Sequence, residues 1–72
     1  MAYDITKYRH LAPDKVYKVE NSEGDVFTFH YRGFHYCEEW YEDVLIFWEP
    51  GTTNKIAEWP ASEFVSAQLV EG

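Results

Sequence analysis

Trp59-Pro60-Ala61-Ser62-Glu63-Phe64-Val65, near the end of a 72-residue chain, holds the clearest fold signal in the sequence. Pro followed by Ala-Ser-Glu predicts one short helical or 3-10 turn, because Pro at the start of a helix gives up an N–H that has no intrahelical partner there. Beyond it Val65, Ala67 and Leu69 alternate with Ser66, Gln68 and Val70, the period-two pattern of a strand. A single turn set just before a last strand implies that strands precede it.

Working back from that close, Lys55 to Trp59 has an extended pattern, and Glu49-Pro50-Gly51-Thr52 places Pro and Gly at the two central positions of a type II turn. Val44-Leu45-Ile46-Phe47-Trp48 is the most apolar run and reads as a central strand. Val16-Tyr17-Lys18-Val19 and Val26-Phe27-Thr28-Phe29-His30-Tyr31 flank the turn cluster Asn21-Ser22-Glu23-Gly24-Asp25. Arg32-Gly33 predicts a tight turn into Phe34-His35-Tyr36-Cys37, although Arg is a poor first residue for a type I′ turn.

The expectation is an all-β, mainly antiparallel domain of five to six short strands in meander order with one helical turn before the last. That arrangement resembles an SH3-like small barrel, and the Trp59 to Val65 close resembles the aromatic, proline, short turn, aromatic, valine ending of SH3-type chains. With no repeat, low-complexity tract or linker, residues 1–72 read as one SH3-like domain. The sequence leaves Met1 to Lys7 open between a strand, a short helix and a frayed end.

Tyr8-Arg9-His10, Tyr17-Lys18-Val19, the acid-led apolar strand from Glu42 to Trp48, and Trp59-Pro60 with Phe64 are also similar to a small bacterial and phage domain family of unknown function. That family opens with a Tyr-Arg-His strand and closes on Trp, Pro and Phe. It carries no established activity, so the resemblance implies a fold and no function.

A chain this short buries only about 60% of its unfolded surface, so large aromatics must supply much of the core. Its 6 Tyr, 5 Phe and 3 Trp meet that need. Cys37 is the one cysteine, which excludes an internal disulfide and C-x-x-C zinc staples. No apolar run approaches a membrane span and no secretory h-region follows Met1, so no membrane association and a cytoplasmic location are expected. Thirteen acidic against six basic side chains leave a net charge of −7, and direct binding to nucleic acid or anionic lipid would have to overcome that repulsion. The acid is concentrated: residues 34–54 carry −5, while residues 1–20 carry +1.

Several groups of residues carry chemistry worth weighing. If Arg32-Gly33 were a two-residue hairpin turn, His30 would face His35, with Cys37 on the same face, a plausible zinc set with a fourth ligand. The plainer and favoured reading is a half-exposed polar face with Cys37 as small filler. Cys37 and His35, two apart on one strand, lie about 7 Å from each other and do not share a proton. Phe27, Phe29, Tyr31, Phe34 and Tyr36 would line the opposite face, chiefly as core. Phosphate loops and basic stripes are absent and no carboxylate pair has the asymmetry that acid–base catalysis needs, so neither an enzyme nor a bound cofactor is expected.

Glu38, Glu39, Trp40, Tyr41, Glu42 and Asp43, with Glu49, form an acidic and aromatic stretch without Lys or Arg. Read as an exposed connection, it fits a non-catalytic binding module engaging a protein partner with a basic surface, such as a phage or mobile-element inhibitor of a basic, nucleic-acid-handling host protein. The alternative is a homo-oligomer whose subunits enclose a nucleotide-like ligand, with Arg9, Arg32, Tyr31, Tyr36 and Trp48 as pocket residues.

Overall fold

The computed structural model describes residues 6–71 of the chain. A one-turn helix α1 (Thr6–Arg9) leads into β1 (Lys15–Asn21), β2 (Val26–Cys37), β3 (Glu42–Trp48) and β4 (Lys55–Pro60). A 3-10 turn (Ala61–Glu63) and β5 (Phe64–Glu71) follow. The strands make one antiparallel sheet in the order β4-β3-β2-β1-β5. The first four strands form a meander, and the 3-10 turn carries the chain back so that β5 pairs with β1. The fold is therefore all-β, five antiparallel strands in one sheet with a short 3-10 turn before the last, as the Trp59 to Val65 close implies.

Two departures from the expected elements have physical causes. Tyr8 and Arg9 lie in α1, where the Tyr-Arg-His resemblance implied a strand. Of the segment Met1 to Lys7, Thr6 and Lys7 begin this helix, and residues 1–5 lie outside the described residues. The second departure is at Arg32-Gly33, which does not reverse the chain. A type I′ turn needs positive φ at both central residues, whereas only Gly33 adopts it, at 123°. One residue is inserted there as a bulge between the pairs Tyr31 with Phe47 and Gly33 with Ile46, and β2 runs on through twelve residues.

Val26 to Tyr31 pair with β1, and His30 to Cys37 pair with β3, so only His30 and Tyr31 are paired on both sides. A one-residue bulge and a two-residue turn preserve the same facing parity. Phe27, Phe29, Tyr31, Phe34 and Tyr36 therefore still share one face although the hairpin that motivated the expectation is absent, but only Phe29 and Tyr31 are buried, and Phe27, Phe34 and Tyr36, expected chiefly as core, are exposed.

The reversal after β2 comes instead at Glu38 to Tyr41, between the pair Cys37 and Glu42. At the next connection Gly51 takes φ 80°, as the second central residue of a type II turn requires, and the Thr52 N–H donates to the Glu49 carbonyl at 3.1 Å.

The core is built from Tyr8, Leu11, Tyr17, Val19, Phe29, Tyr31, Leu45, Phe47, Ala61 and Phe64, with Trp59, Ala57 and Ala67 packed against it. Aromatic rings hold its centre: Phe47 stacks on Phe29 at 5.0 Å and meets Trp59 edge-on at 5.0 Å. Such contacts add about 0.5–1.5 kcal/mol each beyond area burial, which matters in a core this small. Pro60 caps the 3-10 turn without a side-chain hydrogen bond of its own. The Glu42 carboxylate on β3 supplies the missing acceptor, taking the Ser62 N–H at 2.8 Å and the Ser62 hydroxyl at 3.2 Å. Among the described residues no helix is long and apolar enough to cross a membrane.

Candidate functional site

The acidic and aromatic stretch divides in two. Asp43, expected in an exposed run, is buried, with 4% of its surface accessible. It points to the inner face because it follows β3 alternation in step with Leu45 and Phe47. Its Oδ2 accepts a hydrogen bond from the buried Tyr8 hydroxyl at 2.6 Å and one from Arg9 Nη2 at 2.8 Å. Burial pushes the Asp43 carboxyl up, but the hydrogen bonds from Tyr8 and Arg9, with the nearby charges of Arg9 and His35, outweigh it and hold the group below the usual carboxylate range. The same contact raises Arg9, whose guanidinium also lies 5.0 Å over the Phe34 ring. Asp43 is thus a clasp tying α1 to β3, and Glu42 is a clasp tying β3 to the 3-10 turn.

Glu38, Glu39, Trp40 and Tyr41 remain at the surface as the β2–β3 turn. Tyr41 is 83% exposed and Trp40 is 49% exposed, and Tyr36 and Phe34 on the adjoining end of β2 also present surface to solvent. The Glu38 and Glu39 carboxylates make no hydrogen bond or ion pair among the described residues. Tyr41 adopts φ 57°, a left-handed conformation that a bulky side chain occupies at a cost of about 1–2 kcal/mol. The turn therefore holds a large aromatic outward where Gly or Asn would be easier to accommodate. Glu49 does not join this surface. It sits in the turn at the other end of β3, about 20 Å away along a seven-residue strand.

Of the residues considered for a ligand pocket between subunits, Arg32 and Trp48 come together within one chain, whereas Tyr31 and Arg9 are engaged elsewhere. Tyr31 is buried between Tyr17 and Phe47, and its hydroxyl finds no hydrogen-bond partner among the described residues. Burial, with the charges of Tyr17 and Asp43, pushes that phenol up to about 12. Arg9 is committed to Asp43 on the inner side. Arg32, the bulge residue, lies 4.4 Å over the Trp48 ring and forms an ion pair with Asp14. Asp14 also meets His30 Nε2 at 3.0 Å, and the His30 ring packs against Trp48 at 5.7 Å. His30 and Arg32 together hold the Asp14 carboxyl below its ordinary range. The four side chains brace the β1 entry against the bulge and largely satisfy one another.

The zinc arrangement of His30, His35 and Cys37 is not assembled. Without a hairpin at Arg32-Gly33, His30 pairs with Trp48 and His35 with Val44, placing the two imidazoles along one strand on either side of the bulge. Among the described residues no group of three His, Cys, Asp or Glu side chains is close enough to hold a metal ion.

Sequence reasoning missed the Asp14, His30, Arg32 and Trp48 brace and the Tyr8, Arg9 and Asp43 clasp. A signal existed for the second: residues 1–20 carry +1 and residues 34–54 carry −5, a complementary pair of segments.

No protein-family model matches the chain, and neither a curated protein nor a solved structure matches it.

Proposed function

We propose that this protein is a small, acidic, non-catalytic binding module that docks a protein partner with a basic surface through the tip of the β2–β3 hairpin. The observation that supports this most is the outward presentation of Trp40 and Tyr41 beside two exposed carboxylates, Glu38 and Glu39, that have no partner among the described residues. Exposed aromatic rings next to free carboxylates suit Lys and Arg side chains: the rings take the cation on their faces and the carboxylates pair with it. Aromatics are also the residues on which interface energy concentrates.

The buried Asp43 and the engaged Glu42 narrow the reading. Two free carboxylates are too few to imitate a run of nucleic-acid phosphates, so the tip is better matched to one or two cationic side chains than to a whole nucleic-acid groove. Inhibition of a basic, nucleic-acid-handling protein would then act by local occupation of such a cationic site.

The test is affinity capture with the wild-type chain, identification of the retained proteins, and titration of each purified candidate. Trp40→Ala with Tyr41→Ala should weaken binding at least tenfold, and Glu38→Gln with Glu39→Gln should flatten its salt dependence, with folding intact in both. A partner that binds these variants as tightly as the wild type would remove the hairpin tip as the docking site.

A further inference from the structure

The edges of the sheet are unequally guarded. β4 carries Lys55, Glu58 and Pro60, while β5 is bulged at both ends of its ladder with β1 and has Tyr8 of α1 against its Phe64. Charges, proline, bulges and covering elements keep an edge strand from recruiting another strand. The second half of β2 is open on one side. β3 pairs with it there on one flank, but on the other the chain turns away before β1 begins: Pro13 is followed by Asp14, which takes φ 66°. The Asp14 N–H still donates to the Tyr31 carbonyl at 2.7 Å, and beyond Tyr31 no backbone bond crosses that flank among the described residues. Past the bulge, Gly33 to Cys37 pair regularly with β3 and contain no Lys, Arg, Asp, Glu or Pro. Alternation decides which backbone groups are left over. The Cys37 carbonyl faces the β2–β3 turn, where it accepts the Trp40 N–H at 3.3 Å, so His35 and Gly33 also direct their N–H and C=O groups to β3, and Phe34 and Tyr36 direct theirs to the open flank. Among the described residues those groups make no hydrogen bond. Tyr36 is 57% exposed, and α1 meets this strand at the Phe34 ring, through Tyr8 and Arg9.

We infer that the edge from Gly33 to Cys37 takes an extended segment of a protein partner as an added strand, hydrogen-bonded to Phe34 and Tyr36 and carrying Lys or Arg where it passes Glu38 and Glu39. Charge complementarity selects the occupant. The edge is uncharged and leads directly into two exposed carboxylates that have no partner among the described residues. With −7 on the whole chain, a basic segment is drawn to this line and an acidic one is repelled from it. Backbone hydrogen bonds give an added strand its affinity, and its alternate side chains give selectivity. On one face those side chains meet the exposed rings of Phe34 and Tyr36, and on the other they meet His35. The inference rests on the β2–β3 tip being the docking site, and it extends that contact along β2.

The probe is a capped peptide of about seven residues, alternating Lys and Val, titrated into the isotope-labelled chain at low salt. The Phe34 and Tyr36 amides should shift and gain protection from hydrogen exchange, while those of Gly33, His35 and Cys37, already turned to β3, should change little. Methylating alternate backbone nitrogens of the peptide removes donors and keeps every charge. In the phase that faces the edge it should weaken binding at least tenfold, and in the other phase it should not. Tyr36→Pro should act like the first phase from the protein's side, because β3 does not use that N–H, with Tyr36→Ala as the control for the lost ring. The methylated peptides decide the matter if the proline variant does not fold. A Lys–Val peptide that fails to bind up to about 1 mM, that leaves the Phe34 and Tyr36 amides unmoved, or that binds equally in both methylated phases overturns the inference. So does tighter binding of the Glu–Val counterpart, or protection of the same amides by the chain alone as its concentration rises. The edge and the tip fail separately. Binding that Trp40→Ala with Tyr41→Ala abolishes, without any response of the two wild-type amides, keeps the tip and removes the edge. Amide protection that survives those substitutions keeps the edge and removes the tip.

Discussion

Glu38-Glu39 and Glu42-Asp43 are two acidic pairs separated by two residues, and the fold puts them to opposite uses. The first pair lies in a turn, with carboxylates in solvent and no partner among the described residues. The second begins β3. Alternation sends Asp43 inward to Tyr8 and Arg9, while Glu42 reaches the backbone of the 3-10 turn. Identical chemistry thus becomes an internal fastening in one place and available charge in the other. The difference is made by where the strand starts, since a carboxylate on a strand inherits the strand's facing. Local acidity alone is a poor guide to a binding surface.

The largest expected effect comes from Asp43→Ala. It removes a charged acceptor from the buried Tyr8 hydroxyl and should cost about 2–3 kcal/mol, lowering the midpoint of thermal unfolding by about 10 °C or more. If Asp43→Ala melted with the wild type, the contrast between the two pairs would collapse.

A pH titration sharpens the same point. Because the folded Asp43 carboxyl is held below its ordinary value, its contribution is complete above the unfolded value of about 3.9 and is lost as pH falls through the lower folded value. Stability of the wild type should therefore decline below about pH 4, and Asp43→Asn should make that acid limb shallower while lowering stability at neutral pH. Acid unfolding followed by tryptophan fluorescence measures both.

Glu42→Ala removes the acceptor for the Ser62 N–H and should cost about 1 kcal/mol in chemical denaturation, with the loss focused on the 3-10 turn. Tyr41→Gly should act in the opposite direction. Relieving the left-handed backbone should stabilise the domain by about 0.5–1 kcal/mol while weakening partner binding. Glu38→Gln with Glu39→Gln sits at the bottom of the scale, within about 0.5 kcal/mol of wild type in the same denaturation series.

Much of this architecture was legible in the sequence, and the parts that were not share a cause. The Pro60 to Glu63 turn, the Pro50-Gly51 turn and the apolar β3 run were readable because each depends on local chemistry: proline's fixed φ, glycine at positive φ, and a continuous apolar segment. Arg32-Gly33 reads as a reversal in the sequence because a glycine after a polar residue serves a bulge as well as a turn. What separates the two is whether the next strand pairs with the preceding half of β2 or with β3, a non-local matter. The burial of Asp43 is hidden from the sequence for the same reason. Its neighbours in sequence are exposed acids, and its neighbours in space, Tyr8 and Arg9, lie more than thirty residues away. The exposed Trp40 and Tyr41 were within reach of the sequence, since a turn between two strands has nowhere to bury two rings.

The change of partners along β2 has a mechanical consequence. The ladder to β1 ends at Tyr31 and the ladder to β3 begins at His30, so force or thermal fraying passes between the two halves of the sheet through a two-residue overlap beside the Gly33 bulge. Pulled from opposite ends, the sheet should part there first, as two smaller sheets: β1 with β5 and the start of β2, and β3 with β4 and the rest of β2. The shared strand makes the two halves one cooperative unit, and the same short overlap is the joint at which they can flex against each other.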